Sequence, residues 1–368
     1  MKVCNIYNFA SHYRGEIYKK IDKTFDCRFL FGDKIIGQSG IKSFPTSELR
    51  DCAIVENRVF IKAPFYWQRG VLKQVFYKFD RYILLGEPFC VSSWIFLCLC
   101  KFFPKKRTFL WTHGWYGREN FIKKIIKKIY FSLADGIFTY GDYAKQLMQN
   151  EGFRIDKIFP IHNSLNYSEQ KLLRESMSDN DIYQRHFSND YPNLIFIGRL
   201  TKIKRIDLLL ESLHILKNRG KNFNLTIVGD GDLMSTLSTM VKKLDLDKNV
   251  WFYGACYDEA ENANLIYNAD LCVSPGNVGL TAIHCFSFGC PVITHNNFSM
   301  QMPEFEVITE GKTGSFFEYN NTESLADSIQ NWFSVSRSRA EIRNLCFNII
   351  DKEWNPNYQI EIIKRALK

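Results

Sequence analysis

Leu194-Ile195-Phe196-Ile197 runs into Gly198-Arg199-Leu200-Thr201-Lys202-Ile203-Lys204, and Arg205 to Leu216 follows with apolar residues at helical spacing. Next, Leu225-Thr226-Ile227-Val228 ends in Gly229-Asp230-Gly231, and Leu233 to Leu244 is helical again. The alternation continues through Val250 to Tyr253, Ala260 to Asn268, Leu271 to Ser274, Thr281 to Phe288 and Pro291 to Thr294. Strands this apolar, each followed by a helix, need cover on both faces, which predicts a doubly wound parallel sheet. Ligands of such sheets bind beyond the carboxyl ends of the strands.

The first half repeats the pattern less regularly, with strands expected at Val3 to Tyr7, Tyr82 to Gly86, Thr108 to Thr112, Gly136 to Tyr140 and Ile158 to Ile161. A chain of 368 residues is long for one core, and the reading is two Rossmann-like domains, 1–165 and 193–349. The polar stretch 166–192 reads as a linker or a helix leading into one, and a C-terminal helix at about 350–368 is expected to pack back on the first domain.

Apolar residues make up 46% and charged residues 24%, which excludes disorder, collagen and coiled coil. The apolar run Trp94 to Cys100 is too short to span a bilayer. Met1 opens directly into a strand with no signal-peptide core, so a cytosolic chain is expected. Eleven cysteines without a C-x-x-C pair, including Cys90, Cys98, Cys100, Cys272, Cys285 and Cys290 in apolar runs, read as buried reduced thiols rather than disulfides or a metal site.

The net charge of +9 is uneven. Residues 1–165 hold 27 Lys and Arg against 14 Asp and Glu, and the remainder holds 21 against 25. An anionic partner is therefore expected on the first half. In Phe121 to Tyr130, Ile122, Ile125, Ile126 and Ile129 share one helical face, and Lys123, Lys124, Lys127 and Lys128 fall on the other. An ordinary surface helix shows this pattern too, but with Lys101, Lys105, Lys106 and Arg107 nearby it reads as facing an anionic membrane. No stacking motif or recognition helix accompanies the charge, so nucleic acid is not the expected partner.

Three loops converge on the carboxyl edge of the second sheet. Arg199 and Lys204 offer a fork and a point charge for a diphosphate. Gly279-Leu280-Thr281 opens a helix whose amides and dipole form an anion site, with the Thr281 hydroxyl as a further donor. Pro303-Glu304-Phe305-Glu306 precedes Gly311-Lys312-Thr313-Gly314.

From Ile197 to about Ile329, these elements resemble family four retaining glycosyltransferases of GT-B fold. The matching residues are Gly198-Arg199-Leu200 with Lys204, Ile227 to Gly231, Val250 with Gly254, Ala269-Asp270, Val278 to Thr281, Gly289-x-Pro291-Val292-Ile293, Pro303-Glu304 and Gly311-x-x-Gly314. In the first half, Trp111-Thr112-His113-Gly114 is similar to the family's active-site His loop, and Ala10 to Gly15 takes the place of its glycine-rich loop. The resemblance implies two doubly wound domains facing a central cleft. It implies a hexosyltransferase, working without metal or cofactor, that takes sugar from a UDP- or GDP-linked donor. The acceptor would be a glycan, lipid-linked, in bacterial-type surface polysaccharide or O-antigen synthesis, and the enzyme would sit on the inner membrane face.

By the same resemblance, His113, Arg199 and Lys204 are the catalytic candidates. Gly198, Gly229, Asp230, Gly279, Leu280, Thr281, His284 and Glu304 would bind the donor, and Tyr13, Arg14 and Gly114 would line the acceptor side. His295 would wall the donor pocket, and His162 and Asn163 would line the cleft or pack at a hinge. One departure stands out. The family carries two Glu eight positions apart, and here those positions are Gly276 and His284. Gly276 then leaves a vacancy for Glu304 or Glu306 to fill, and an inactive GT-B relative acting as a binding subunit becomes the alternative.

Overall fold

The computed structural model describes residues 1–37 and 42–368, which form two compact units: Met1–Asn166 with Asn355–Lys368, and Tyr167–Trp354.

The first unit is built on a seven-stranded parallel sheet. Its strands are β1 (Lys2–Tyr7), β2 (Asp26–Gly32), β3 (Cys52–Val55), β6 (Arg81–Leu85), β7 (Arg107–Thr112), β8 (Gly136–Thr139) and β9 (Ile158–Pro160), in the order 3-2-1-6-7-8-9. A short antiparallel hairpin, β4 (Asn57–Val59) and β5 (Tyr66–Gln68), lies between β3 and β6 in sequence. Alternate residues of each strand enter separate cores, as with Val3 and Tyr7 on one face and Cys4 and Ile6 on the other. The first face is covered by α1 (Gly15–Thr24) and the last helix of the chain, and the second by α2 (Val91–Cys100) and α3 (Phe121–Ser132). Helix α4 (Asp142–Asn150) packs beside β8 and β9.

The second unit begins earlier than the polar composition of 166–192 suggested. Helices α5 (Tyr167–Ser176) and α6 (Ile182–Phe187) belong to it, because their polar groups are used there: Gln170 donates to Glu259 at 2.8 Å, and the Tyr183 hydroxyl donates to the Leu265 carbonyl at 2.7 Å. Its sheet is also parallel, in the order 12-11-10-13-14-15, from β10 (Asn193–Ile197), β11 (Asn224–Val228), β12 (Val250–Gly254), β13 (Leu271–Val273), β14 (Val292–His295) and β15 (Gly314–Phe317). Helices α7 (Ile206–Asn218), α8 (Met234–Lys243), α9 (Glu259–Asn268), α10 (Leu280–Ser287), α11 (Thr322–Ser334) and α12 (Arg339–Glu353) complete it. The chain then returns to the first unit as α13 (Pro356–Leu367), with Ile360, Ile363 and Leu367 in the core beside α1. The return starts at Asn355 rather than at about 350, since α12 runs on to Glu353.

All eleven cysteines are free thiols. Most are buried as expected, but Cys98 lies on the outward side of α2 and is exposed. No helix among the described residues is long and apolar enough to cross a membrane.

Candidate active site

In the second unit, the ends of β10, β11 and β12 are laced together. Gly198 N donates to the Val228 carbonyl at 2.9 Å, Gly229 N to the Gly254 carbonyl at 2.8 Å, and Leu200 N to the Asp230 carbonyl at 2.9 Å. A Cβ on Gly229 would stand 1.9 Å from the Gly198 carbonyl oxygen, so the approach of these turns requires glycine. Asp230 is exposed and accepts from Gly231 N at 2.7 Å, a bond that shapes its own turn.

Arg199 is exposed and has no ion-pair partner among the described residues. Lys204 is half-buried, and its Nζ donates to the Asn277 carbonyl at 2.7 Å. Burial pushes the Lys204 ammonium down to about 8; Arg199 adds to the depression and Glu304 opposes it. The three predicted residues therefore share one electrostatic neighbourhood. Glu304 is 1% exposed within the short turn Pro303–Val307.

Gly279 stands at φ +55° before α10, as the anion-site reading needs. The Thr281 hydroxyl differs from expectation: it donates to the Ile197 carbonyl at 3.1 Å, so it pins the start of α10 to β10 rather than offering a free donor. His284 also turns to protein, with Nε2 3.1 Å from Glu259. Burial works against charge on Glu259, but the His284 ring and the Gln170 amide outweigh it and hold the carboxyl below its ordinary range. A carboxylate thus stands beside position 284 although it comes from α9.

Position 276 holds no vacancy. A Cβ there would lie 2.0 Å from the Ile203 carbonyl oxygen and 2.7 Å from Lys204 Cα. Gly276 N donates to the Lys204 carbonyl at 3.0 Å, so the Lys202–Lys204 turn fills the space in which a side chain would start. Gln301, which the sequence reading missed, is 2% exposed and ties this loop to β14. Its Oε1 accepts from Val278 N at 2.9 Å, and its Nε2 donates to Thr294 Oγ1 at 2.8 Å and to the His295 carbonyl at 3.0 Å. The side chain alone carries no sequence signal for this. His295 is buried, accepts from Asn297 N at 3.2 Å, and is pushed down to about 4 by burial, so it stays neutral.

In the first unit, His113 follows β7 with its ring 4.7 Å from Tyr140 and 5.9 Å from Tyr116. The ring keeps some exposure, but its Nδ1 is enclosed. Burial, with Arg14 and Lys127 nearby, pushes it down to about 3, so a neutral imidazole is presented at physiological pH. Lys127 cinches this loop. Its Nζ donates to the Gly114 carbonyl at 2.9 Å and to Glu119 at 2.6 Å, and Glu119 accepts from Tyr116 N and Gly117 N at 2.9 Å each. Gly114 is buried, so it enters the site as backbone. Arg14 lies 5.5 Å from the Trp111 and Tyr140 rings and 5.8 Å from Tyr13. His162 stacks on Tyr358 at 5.3 Å, and its carbonyl accepts from Gln359 at 2.9 Å, which makes it a packing residue of this unit.

The lysine side of α3 is split: Lys123 and Lys128 are exposed, whereas Lys124 and Lys127 are partly buried. Lys127 is held inward, Lys124 pairs with Glu151, and Tyr130 and Phe131 are buried. The isoleucines point outward, with Ile122 67% and Ile129 54% exposed and Ile125, Ile126 and Phe121 also exposed. Periodicity located the two faces; the isoleucine face meets solvent together with Lys123 and Lys128, while Lys124 and Lys127 are held by Glu151 and Glu119.

Residues 178–345 match the family model described as Glycosyl transferases group 1. The second unit is a group 1 glycosyl transferase domain. Along the sequence, the chain is 25% identical over 257 residues to an uncharacterized 41.2 kDa protein in the cps region of Klebsiella pneumoniae, covering 66% of each. The matches span about two thirds or less of the lengths of the first curated relatives. In structure, the chain is similar to Anabaena HepE in complex with UDP, with a TM-score of 0.71, 16% identity and 100% and 99% of the two chains covered. The lipopolysaccharide outer core galactosyltransferase WaaB gives 0.73 at 14% identity over 100% and 99%. The chain has the GT-B fold. The group 1 domain carries Arg199, Lys204, the Gly279 turn and Glu304 on one sheet edge.

Proposed function

We propose that this chain is a retaining hexosyltransferase that moves a sugar from a UDP- or GDP-linked donor to a glycan acceptor in surface polysaccharide assembly. The observation that carries the reading is the unpaired, exposed Arg199 beside Lys204 and the Gly279 helix start. Together they place two cations and a helix start at one sheet edge, with Glu304 the carboxylate that acts on Lys204, an arrangement suited to an anionic diphosphate. The HepE structure with UDP and the relative in a cps region support the donor and the setting. In this reading Arg199 and Lys204 take up charge as the diphosphate leaves, and the neutral His113 ring offers a hydrogen bond to sugar or phosphate. Cations and amides perform the leaving-group work, and no metal is required.

Purified protein should be stabilised against heat by UDP or GDP, and transfer should continue in EDTA. Failure of every nucleoside diphosphate to raise the midpoint overturns the donor assignment. Loss in EDTA that Mg²⁺ restores would establish a metal-dependent transferase instead. A binding subunit without turnover is the second reading, favoured by a position 276 that has no room for a carboxylate. Nucleotide binding without transfer or donor hydrolysis would select it.

The acceptor side of the proposal places α3 on an anionic membrane at its cytoplasmic face. Residues 89–133 contain nine Lys and Arg and a single acid, Glu119, around the outward isoleucines. A second copy meeting this face by two-fold symmetry would bring like charges together, whereas an acidic bilayer neutralises them. Ile122→Glu with Ile126→Glu should weaken binding to phosphatidylglycerol-containing vesicles by about two orders of magnitude or more, since each inserted isoleucine contributes about 1.5 to 3 kcal/mol. Nucleotide affinity should not change. Equal sedimentation of the double variant and wild type with these vesicles would show that α3 does not enter the bilayer.

A further inference from the structure

Arg14 is a cation without a counter-ion. It ends the turn His12–Arg14, lies among the rings of Tyr13, Trp111 and Tyr140, and donates to the Tyr140 hydroxyl. No carboxylate pairs with it among the described residues, and its Nε is enclosed without an acceptor. The residue is half-buried, and an enclosed guanidinium nitrogen ordinarily has an acceptor.

The same neighbourhood holds further polar atoms without partners. The Tyr7 hydroxyl belongs to a side chain with no exposure and Trp111 Nε1 to one with 1%, and neither makes a hydrogen bond; His113 Nδ1 is a third. Tyr7 and Trp111 touch one another, Trp111 lies beside Arg14, and His113 is linked to Arg14 through Tyr140. Tyr7 packs on Trp111 with ring centres 6.1 Å apart, and His113 packs on Tyr140, which receives the Arg14 bond. Buried polar atoms are satisfied in the large majority of cases, so several together around one unpaired cation mark a site for a ligand. Its chemistry follows from the inventory. Arg14 Nε and Trp111 Nε1 are donors only, the Tyr7 hydroxyl can donate, and no carboxylate competes for them.

We infer that this cage binds an oxyanion carried by the acceptor, either a uronate carboxylate or a phosphate, so that the acceptor glycan is acidic. The inference rests on the transferase reading and names its acceptor class. It needs only residues of the first unit.

The test is calorimetric titration of the whole protein with glucuronate, inorganic phosphate and glucose, and separately with UDP and GDP. Glucuronate or phosphate should bind and glucose should not, and the better of the two anions tells carboxylate from phosphate. Arg14→Gln should weaken that binding at least about tenfold while leaving UDP and GDP affinity unchanged. Tyr7→Phe should weaken it several-fold without lowering the thermal midpoint, because the hydroxyl it removes makes no bond in the free protein. A packing role for Tyr7 and Arg14 would leave anion binding unmoved.

Three results overturn the inference: neither anion binds, either variant binds it as wild type does, or Arg14→Gln weakens UDP and GDP equally. The last would assign the oxyanion to the donor diphosphate. Any of these with nucleoside diphosphate binding intact leaves the transferase reading standing. Failure of UDP and GDP to bind wild-type protein removes that reading itself.

Discussion

Alanine at Arg199 or Lys204 is expected to lower turnover roughly 30- to 1000-fold, the loss of about 2 to 4 kcal/mol of charge-assisted stabilisation on a departing diphosphate. Arg199 has no partner to lose in the free protein, so its variant should unfold at the wild-type temperature. Lys204 carries a pH signature as well. Its ammonium titrates at about 8, below its ordinary 10.5, and a bound diphosphate favours the charged form. Nucleotide affinity should be level below that pH and fall by up to about tenfold per unit above it. Over the same window the free protein should gain stability, because the unfolded chain binds the proton that folded Lys204 has released. Lys204→Met should remove both slopes. Wild-type turnover in the Arg199 and Lys204 alanine variants would withdraw the clamp assignment.

Restoring the family's carboxylate by Gly276→Glu should abolish donor binding rather than improve it. The new Cβ collides at 2.0 Å with the Ile203 carbonyl, and a collision of backbone with Cβ cannot be relieved by a rotamer. The Lys202–Lys204 turn must move and take the Lys204 to Asn277 bond with it. Overpacking of this kind costs about 1 to 3 kcal/mol of stability. Even Gly276→Ala should lower the thermal midpoint and reduce UDP or GDP affinity tenfold or more, on the order of a lost charged contact. A Gly276→Glu variant that binds donor more tightly would mean that the turn swings away and that the position is open after all.

The second sheet was legible because its strands are apolar on both faces and each is followed by a periodic helix. Arg205 to Leu216 was expected as helix, and Ile206–Asn218 forms it. In the first unit, β2 and β3 escaped the reading for a physical reason. Asp26 and Arg28 interrupt the apolar run of β2, and β3 is a sheet edge whose residues are half-buried or exposed. The diphosphate residues were legible as cations at a strand-to-helix turn. What fills position 276 was not, since Gly276 and Ile203 meet only through the parallel arrangement of β10 and β13. The exposure of the isoleucines of α3 was likewise hidden, because periodicity divides a helix into faces without saying which lysines Glu119 and Glu151 will hold.

The return of α13 sets an order of assembly on the ribosome. Residues 1–166 emerge first, but the core beside α1 lacks Ile360, Ile363 and Leu367, and Ser164 and the His162 carbonyl lack Gln359, until the last helix is made. The segment Tyr167–Trp354 is continuous and contains every strand of its own sheet. The later-synthesised half can therefore close its core while the earlier half still waits, which reverses the usual N-terminal-first sequence of domain folding.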